Sequence, residues 1–516
     1  MFVVIWSTLK KIFRIRKTLF AFLIPLLLIP IPAKIGTPEA KCAYVLLLMA
    51  CFWLMEIMPL AVTALIPVVF LPLFGILSTD ETCKIYMKEI NMIFLGSLIA
   101  ATAVEHCNLH NRLALRILLL VGTSPRWLML GFMLTTVLLV SVIPMEKMTD
   151  RKLSMASVTT DPIEQDSRSK EEKNLRKALF MGVCYSANIG GTGTLTGTTP
   201  NLILKGQIDD DFKDYSKLTF ASWMLFNIPG TILCVILAWA WLQILFMRQC
   251  GKDKKNSNDS VKTIIEKNYK DLGSITFHEA AVLVLFIILL ILWFCRDPGF
   301  MPGWGVALSG EENKTFLKDA IPAIAIVLLL FVIPARPMEP ETSPPLLEWK
   351  IAQQNVSWGV ILLLGGGFAL AEGTTRSGLS FWLGDQLAVL QALSAEVVVL
   401  IVCLIALTLT EVASNTATAT IMMPVLSNLA EAVGIHPIKI MMPVAMCCSY
   451  AFILPVATAP NAIVFEAAPL TQTEMALPGF IMKLLCLSVS MLMIHTIGNP
   501  IFKMDVPIST NSTLGY

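Results

Sequence analysis

Residues 218 to 247 contain no charged side chain. An apolar stretch of that length crosses a bilayer as a helix, which needs roughly 20 residues. The same pattern recurs along the chain. Residues 42 to 77 carry one charge, Glu56, and are long enough for two spans broken near Pro59. Residues 117 to 144 carry only Arg126, and residues 484 to 502 contain only His495. Shorter charge-free runs cover 280 to 295, 320 to 335 and 397 to 410, and residues 440 to 465 are charge-free but broken by Pro443, Pro455 and Pro460. Roughly ten to twelve spans fit. Composition agrees: 55% of the 516 residues are hydrophobic and 15% charged, where soluble domains carry about 25% charged residues. The expectation is an all-α polytopic membrane protein.

A net charge of +2 gives no electrostatic footprint for a nucleic acid. The cysteines sit mostly inside apolar runs, as Cys51, Cys234, Cys295, Cys403 and Cys486 do, and read as small packing residues. Lys10, Lys11, Arg14, Arg16 and Lys17 precede the apolar run from Leu19 to Ala33 without a small-residue cleavage site. Basic residues before a first span favour a cytoplasmic N-terminus. Residues 146 to 177 and 248 to 270 are hydrophilic and rich in Lys and Arg, whereas 206 to 217 is acidic, with Asp209, Asp210 and Asp211 in a row. Positive-inside counting puts the first two in the cytoplasm and the third outside. All three read as solvated loops. Of the sequons, Asn511-Ser-Thr lies in the polar tail after the last span and is the glycosylation candidate.

Two separated pairs of segments resemble each other. Leu95-Gly96-Ser97-Leu98 and Leu364-Gly365-Gly366-Gly367 each open a short apolar stretch ending in an acid, Glu105 or Glu372. Stretches that short predict re-entrant hairpins, with Gly96, Gly365, Gly366 and Gly367 as hairpin glycines. Thr198-Thr199-Pro200-Asn201 matches Thr458-Ala459-Pro460-Asn461, a Pro-Asn break inside an otherwise apolar helix. The separations, 269 and 260 residues, agree. Matched halves at a constant spacing are the mark of an internally repeated carrier. The division that follows is 1–18, a cytoplasmic N-terminus; 19–247, a first repeat; 248–277, a cytoplasmic loop; 278–502, a second repeat; and 503–516, a polar tail.

Chemistry concentrates at two places. Ile189 to Asn201 holds four glycines and five threonines in thirteen residues. Non-helical backbone at membrane depth is tolerated only where protein buries it or it lines a cavity. Unwound carbonyls and hydroxyls there suit sodium, and the following half-helix offers its positive N-terminus to an anion. Glu411 to Pro424 contains Ser414-Asn415-Thr416, a hydroxyl, an amide and a hydroxyl in succession. Neutral groups of this kind hold a carboxylate and a cation together without the desolvation cost of a buried Lys or Arg. Glu56 and His495 are weaker candidates, read as helix-break and packing residues. There is no GxSxG elbow, no HExxH, no GxGxxG and no P-loop pattern. No catalytic constellation and no cofactor are expected.

With these residues in view, the chain resembles the divalent-anion/sodium symporter family, the sodium-coupled dicarboxylate, citrate and sulfate carriers. The resemblance runs from about Cys42 to Phe502. It is carried by Trp53 to Leu65, Asn108-Leu-His110 with Arg112, Gly190 to Asn201, Asp297 to Trp304, Leu364 to Phe368, Ser414 to Thr418 and Leu454 to Phe465. It is nearest to the animal citrate and dicarboxylate carriers. It implies a plasma-membrane homodimer built from two inverted repeats, with an elevator-type transport domain against a scaffold whose helices lie in 19–247, and an extracellular tail at 503–516. It also implies a substrate site at Ser414, Asn415, Thr416, Thr458 and Pro460. Sodium, the only metal implied, would be held by Thr198, Thr199, Asn201, Ser414, Asn415, Ala459 and Asn461. The chain departs from the family in the first repeat, where a further Ser-Asn-Thr is expected. There it reads Thr135-Thr-Val-Leu-Leu-Val-Ser-Val-Ile-Pro-Met-Glu146. Half of the implied site is missing, as in a splice form or a gene model with a skipped segment. The expected function is sodium-coupled symport of a di- or tricarboxylate, with a sulfate carrier or a transport-incompetent dimer partner as alternatives.

Overall fold

A computed structural model describes residues 17–122, 124–142, 170–212, 218–246, 255–299, 301–310, 316–339, 343–387, 393–468 and 470–504. Among them the chain is helical, and the one bridge pairing joins Pro334 to Pro345. Seven of the described helices are long and apolar enough to cross a membrane, and four apolar helices of 10–17 residues accompany them. Many of their large side chains face outward. In Lys17–Ile35 only 6% of the apolar window is buried, which suits a helix surrounded by lipid rather than water.

Local chemistry explains where the helices stop. Pro38–Leu54 ends just before Glu56, whose φ of 45° is left-handed, and the chain resumes as Leu60–Thr63 and Ile66–Leu73. This is the break expected near Pro59. Phe277–Arg296 and Gln472–Met493 both start with capping boxes, Thr276 with Glu279 and Thr471 with Glu474. Phe220–Phe246 and Phe277–Arg296 are the long spans expected from their charge-free runs.

Helices group around two centres. Glu89–His106 packs on Ala320–Val332, and Trp358–Arg376 packs on Leu60–Thr63 and Ile66–Leu73. In the second group Pro125–Val142, Lys170–Gly190 and Phe220–Phe246 lie together, as do Ala395–Val412, Asn415–Val433 and Pro437–Ser449. Thr199–Asp211 bridges the groups by touching Asn415–Val433, Pro437–Ser449 and Trp358–Arg376.

Two expectations are corrected. The stretches opened by Gly96 and by Gly365, Gly366 and Gly367 are not the short segments expected. These glycines lie inside continuous helices of 18 and 19 residues, Glu89–His106 and Trp358–Arg376, which begin upstream of the glycines and run past Glu105 and Glu372. The glycines serve close approach: a Cβ at Gly96 would lie 2.7 Å from the Ala323 Cβ, and one at Gly366 would lie 2.3 Å from the Ala64 carbonyl oxygen. Nor are the hydrophilic segments simply solvated loops: the acidic run is the end of the helix Thr199–Asp211, with Gly206, Gln207 and Ile208 buried, and the second basic segment is helical too. Lys255–Asp271 is a helix, and its Ile265 is buried against Leu118 and Leu128. The candidate Asn511 lies outside the described residues.

A buried ion pair fastens the connection after that helix. Arg112, 6% exposed, pairs with both carboxylate oxygens of Glu279 and donates to the carbonyls of Leu272, Gly273 and Ser274. Removing one partner of such a pair leaves an uncompensated buried charge. Arg112→Met is expected to cost about 3–5 kcal/mol, measured as a fall in the unfolding midpoint in detergent. An unchanged midpoint would show that Glu279 is stabilised without Arg112.

Candidate substrate and sodium site

The two Pro-Asn segments interrupt helices in the same way. Lys170–Gly190 stops, residues 191–198 are non-helical, and Thr199–Asp211 resumes. Pro437–Ser449 stops, residues 450–458 are non-helical, and Ala459–Ala467 resumes. Thr198 and Thr458 are the extended N-cap residues of the resumed helices, with Pro200 and Pro460 in the first turn. Proline belongs there because its missing N–H has no acceptor at a helix start. The Thr458 hydroxyl accepts from the Asn461 backbone N–H at 3.4 Å.

Each asparagine clasps its own break. Asn201 Nδ2 donates to the carbonyls of Gly191 at 3.0 Å and Thr194 at 2.8 Å. Asn461 Nδ2 donates to the carbonyls of Ala451 at 3.0 Å and Leu454 at 2.9 Å. In both cases the acceptors lie 10 and 7 residues upstream. The internal repeat is thus a repeat of hydrogen-bond geometry as well as of letters.

The two halves meet. Asn188, fully buried on Lys170–Gly190, donates to the Ala451 carbonyl at 3.2 Å and to Asn461 Oδ1 at 3.1 Å. The Cys184 thiol donates to the same Asn461 oxygen at 2.8 Å. Asn461 therefore has all its polar groups engaged. Asn201 does not: its Oδ1 is buried with no hydrogen-bond partner among the described residues. The first break is wholly buried, while around the second Val456 is 84% exposed.

Ser414-Asn415-Thr416 stands beside the second break. Ala395–Val412 ends, Ala413 and Ser414 are extended, and Asn415–Val433 begins with Ser414 as its N-cap, its hydroxyl accepting from the Ala417 N–H at 3.2 Å. The Thr410 hydroxyl reaches Asn415 Oδ1 at 2.8 Å and also the Cys448 carbonyl, which ties the motif to the helix entering the break. Asn415 Nδ2 and the Thr418 hydroxyl are buried without partners among the described residues. An unpaired amide N–H2 and hydroxyl suit a carboxylate, and the unpaired Asn201 oxygen suits a cation. Thr199, buried at the start of the first half-helix, and Ala459, at the start of the second, place backbone at the mouths of the two breaks.

Pro125–Val142 meets the first break as Ala395–Val412 meets the second: the Thr194 hydroxyl donates to the Ser141 carbonyl at 3.2 Å. The residues after Val142, where a first-repeat motif would follow, lie outside the described residues. Neither weaker candidate joins the site. Glu56 is exposed at its helix break, and His495 is exposed in a π-helical turn, Ile494–Gly498.

Two charged residues were missed. Glu411, 6% exposed, accepts backbone N–H groups from Phe452, Ile453 and Leu454 at 3.0–3.2 Å. Lys483 pairs with it at 2.5 Å. Glu411 closes the charge-free run 397–410 and Lys483 immediately precedes the run 484–502, and a charge so placed signals a buried partner.

Residues 10–504 match the family model described as the sodium:sulfate symporter transmembrane region. The chain belongs to that family. It is 41% identical to a Na(+)/citrate cotransporter of Mus musculus, covering 96% of this chain and 97% of the mouse protein. It is 37% identical to a Na(+)/dicarboxylate cotransporter 3 of Rattus norvegicus, over 96% and 94% of the two chains. The mouse alignment runs over 556 positions, more than the 516 residues of this chain, so the mouse protein has internal residues with no counterpart here. Among solved structures, MtrF of Neisseria gonorrhoeae, from a class of antimetabolite efflux pumps, shares the fold. Its TM-score is 0.53 at 14% identity, over 80% of this chain and 83% of that one. Family membership places the chain among transport proteins rather than enzymes.

Proposed function

We propose that this chain is a secondary symporter that couples sodium entry to the uptake of di- or tricarboxylates of the succinate and citrate class. The observation that carries the reading is the paired asparagine clasp, with the Asn201 oxygen and the Asn415 amide both buried without a partner among the described residues. Sodium would take oxygens at Thr198, Thr199, Asn201, Ser414, Asn415, Ala459 and Asn461. The carboxylate would take Ser414, Asn415, Thr416, Thr458 and the mouth at Pro460. The relatives named for sodium with citrate or dicarboxylate support this choice of substrate. A homodimer at the plasma membrane, an elevator-type motion, a cytoplasmic N-terminus and an extracellular tail complete the proposal. Each net charge moved inward gains about 2.3 kcal/mol per 100 mV.

The first-repeat departure, together with the extra positions in the mouse alignment, favours one other outcome: a chain that reaches the surface and does not transport. Uptake of labelled succinate, citrate and sulfate, in sodium and in choline medium with surface expression checked, decides. Sodium-dependent uptake of a carboxylate is expected. Uptake of sulfate alone would move the substrate. No uptake from chains at the surface would overturn the carrier and point to a regulatory partner, seen as suppression of a co-expressed intact carrier.

A further inference from the structure

The breaks are closed by different means. In the first, Thr192 and Gly193 donate their backbone N–H groups to the nearby carbonyls of Ile189 and Gly190, an inexpensive local turn. In the second, three successive N–H groups converge on one carboxylate, Glu411. Burying a carboxylate carries a heavy desolvation penalty unless it is paired and fully hydrogen-bonded. Here it is both. Lys483 supplies the counter-charge and donates also to the Leu407 carbonyl at 2.7 Å, with both side chains under 10% exposed. One turn before Lys483, Gly479 lets the helix touch the break itself: a Cβ there would lie 2.2 Å from the Phe452 carbonyl oxygen. Glu411 stands three residues before Ser414, and the carbonyls of Ala451 and Leu454 beside its partners are the ones Asn461 clasps.

We infer that Glu411 is a positioning residue for the sodium site, holding the second break and the Ser414-Asn415 tip in the register that binds the cation, with Lys483 as the counter-charge that holds the carboxylate in place. Glu411 does not itself touch the cation. It draws the N–H groups of the break to one side, which leaves the break's carbonyls for Asn461 and the ion. This inference rests on the sodium-binding reading above.

Thermal unfolding of the purified full chain in detergent, titrated with sodium against choline at constant ionic strength, tests it. A ligand that binds only the folded state raises the midpoint with concentration. The unaltered chain is expected to respond to sodium. Glu411→Gln puts an N–H2 against backbone N–H groups and is expected to raise the half-saturating sodium concentration by roughly tenfold or more. The double variant Glu411→Gln with Lys483→Met buries no charge, so its midpoint without sodium is expected to return toward that of the unaltered chain while its sodium response stays weak. A purely structural pair would behave otherwise: the sodium response would recover together with the midpoint, to within about twofold of the original, and that result overturns the inference. Should Glu411→Gln alone not fold, the double variant decides; a double variant that does not fold also overturns it, since the pair then serves stability. An unaltered chain without any sodium response overturns the proposed function as well, whereas a responsive chain with normally responsive variants overturns the inference alone.

Discussion

Asn461→Ala is expected to unfold this protein at markedly lower temperature and to abolish any sodium response. The side chain is fully buried and makes four hydrogen bonds: two to carbonyls of its break, and two accepted from Asn188 and Cys184. Alanine strands these groups, and each buried polar group left unpaired costs about 1–3 kcal/mol. The total is expected near 3–5 kcal/mol, below a simple sum because Asn188 still reaches the Ala451 carbonyl. Asn201→Ala gives the contrast. It loses the matching pair of donors, but its Oδ1 has no partner among the described residues. Its cost to the midpoint should be smaller, while its effect on sodium response should be just as large. Parallel melts of the two variants, each with and without sodium, check this. Equal losses of stability would show that the contact between the halves contributes little.

Gly366→Val is expected to prevent accumulation of folded protein at the surface. A Cβ at this position meets the Ala64 carbonyl oxygen at 2.3 Å, the Ala64 Cβ at 2.7 Å and the Ala64 Cα at 2.8 Å. These atoms belong to a backbone held on either side by helix, so they cannot swing away as a side-chain tip would. Overpacking typically costs about 1–3 kcal/mol and more where the backbone must move. Gly359, on the same helix, is the control: a Cβ there has one neighbour, the Ala61 Cβ at 3.3 Å, so Gly359→Ala should be tolerated. Surface biotinylation and a monodisperse size-exclusion profile report both. Normal surface levels of Gly366→Val would mean that the Leu60–Thr63 segment shifts freely.

The error at Gly96 and Gly366 has a physical cause. A glycine followed by a short apolar run and an acid reads as a segment too short to span. The helices instead extend upstream, through Asn91 and Ile93 in one case and Val360 and Leu363 in the other. What keeps the glycines helical is the neighbour they admit, Ala323 or Ala64, and those neighbours are distant in sequence. Lys255–Asp271 was misread for a related reason. Its polarity is visible in the letters, but the burial of Ile265 depends on Leu118 and Leu128 being placed beneath it.

The chain's own letters determined that it is a helical membrane protein, because charge-free runs of bilayer length have no other solvent. They also located the breaks near Pro59 and at the two Pro-Asn segments, because Pro, Gly and Thr act on the backbone within a turn or two, and showed that the latter are repeated, because Thr-x-Pro-Asn recurs at matched spacing; the break expected at Pro443 is absent, since that proline lies inside the continuous helix Pro437–Ser449. The tertiary structure alone decided that Asn188 and Cys184 join the first half to Asn461, that Glu411 and Lys483 neutralise each other beside the motif, and that the halves are closed differently. Those are pairings between groups far apart along the chain. A buried polar atom announces in sequence that it needs a partner, and only the packing of helices decides which partner comes within 3 Å of it.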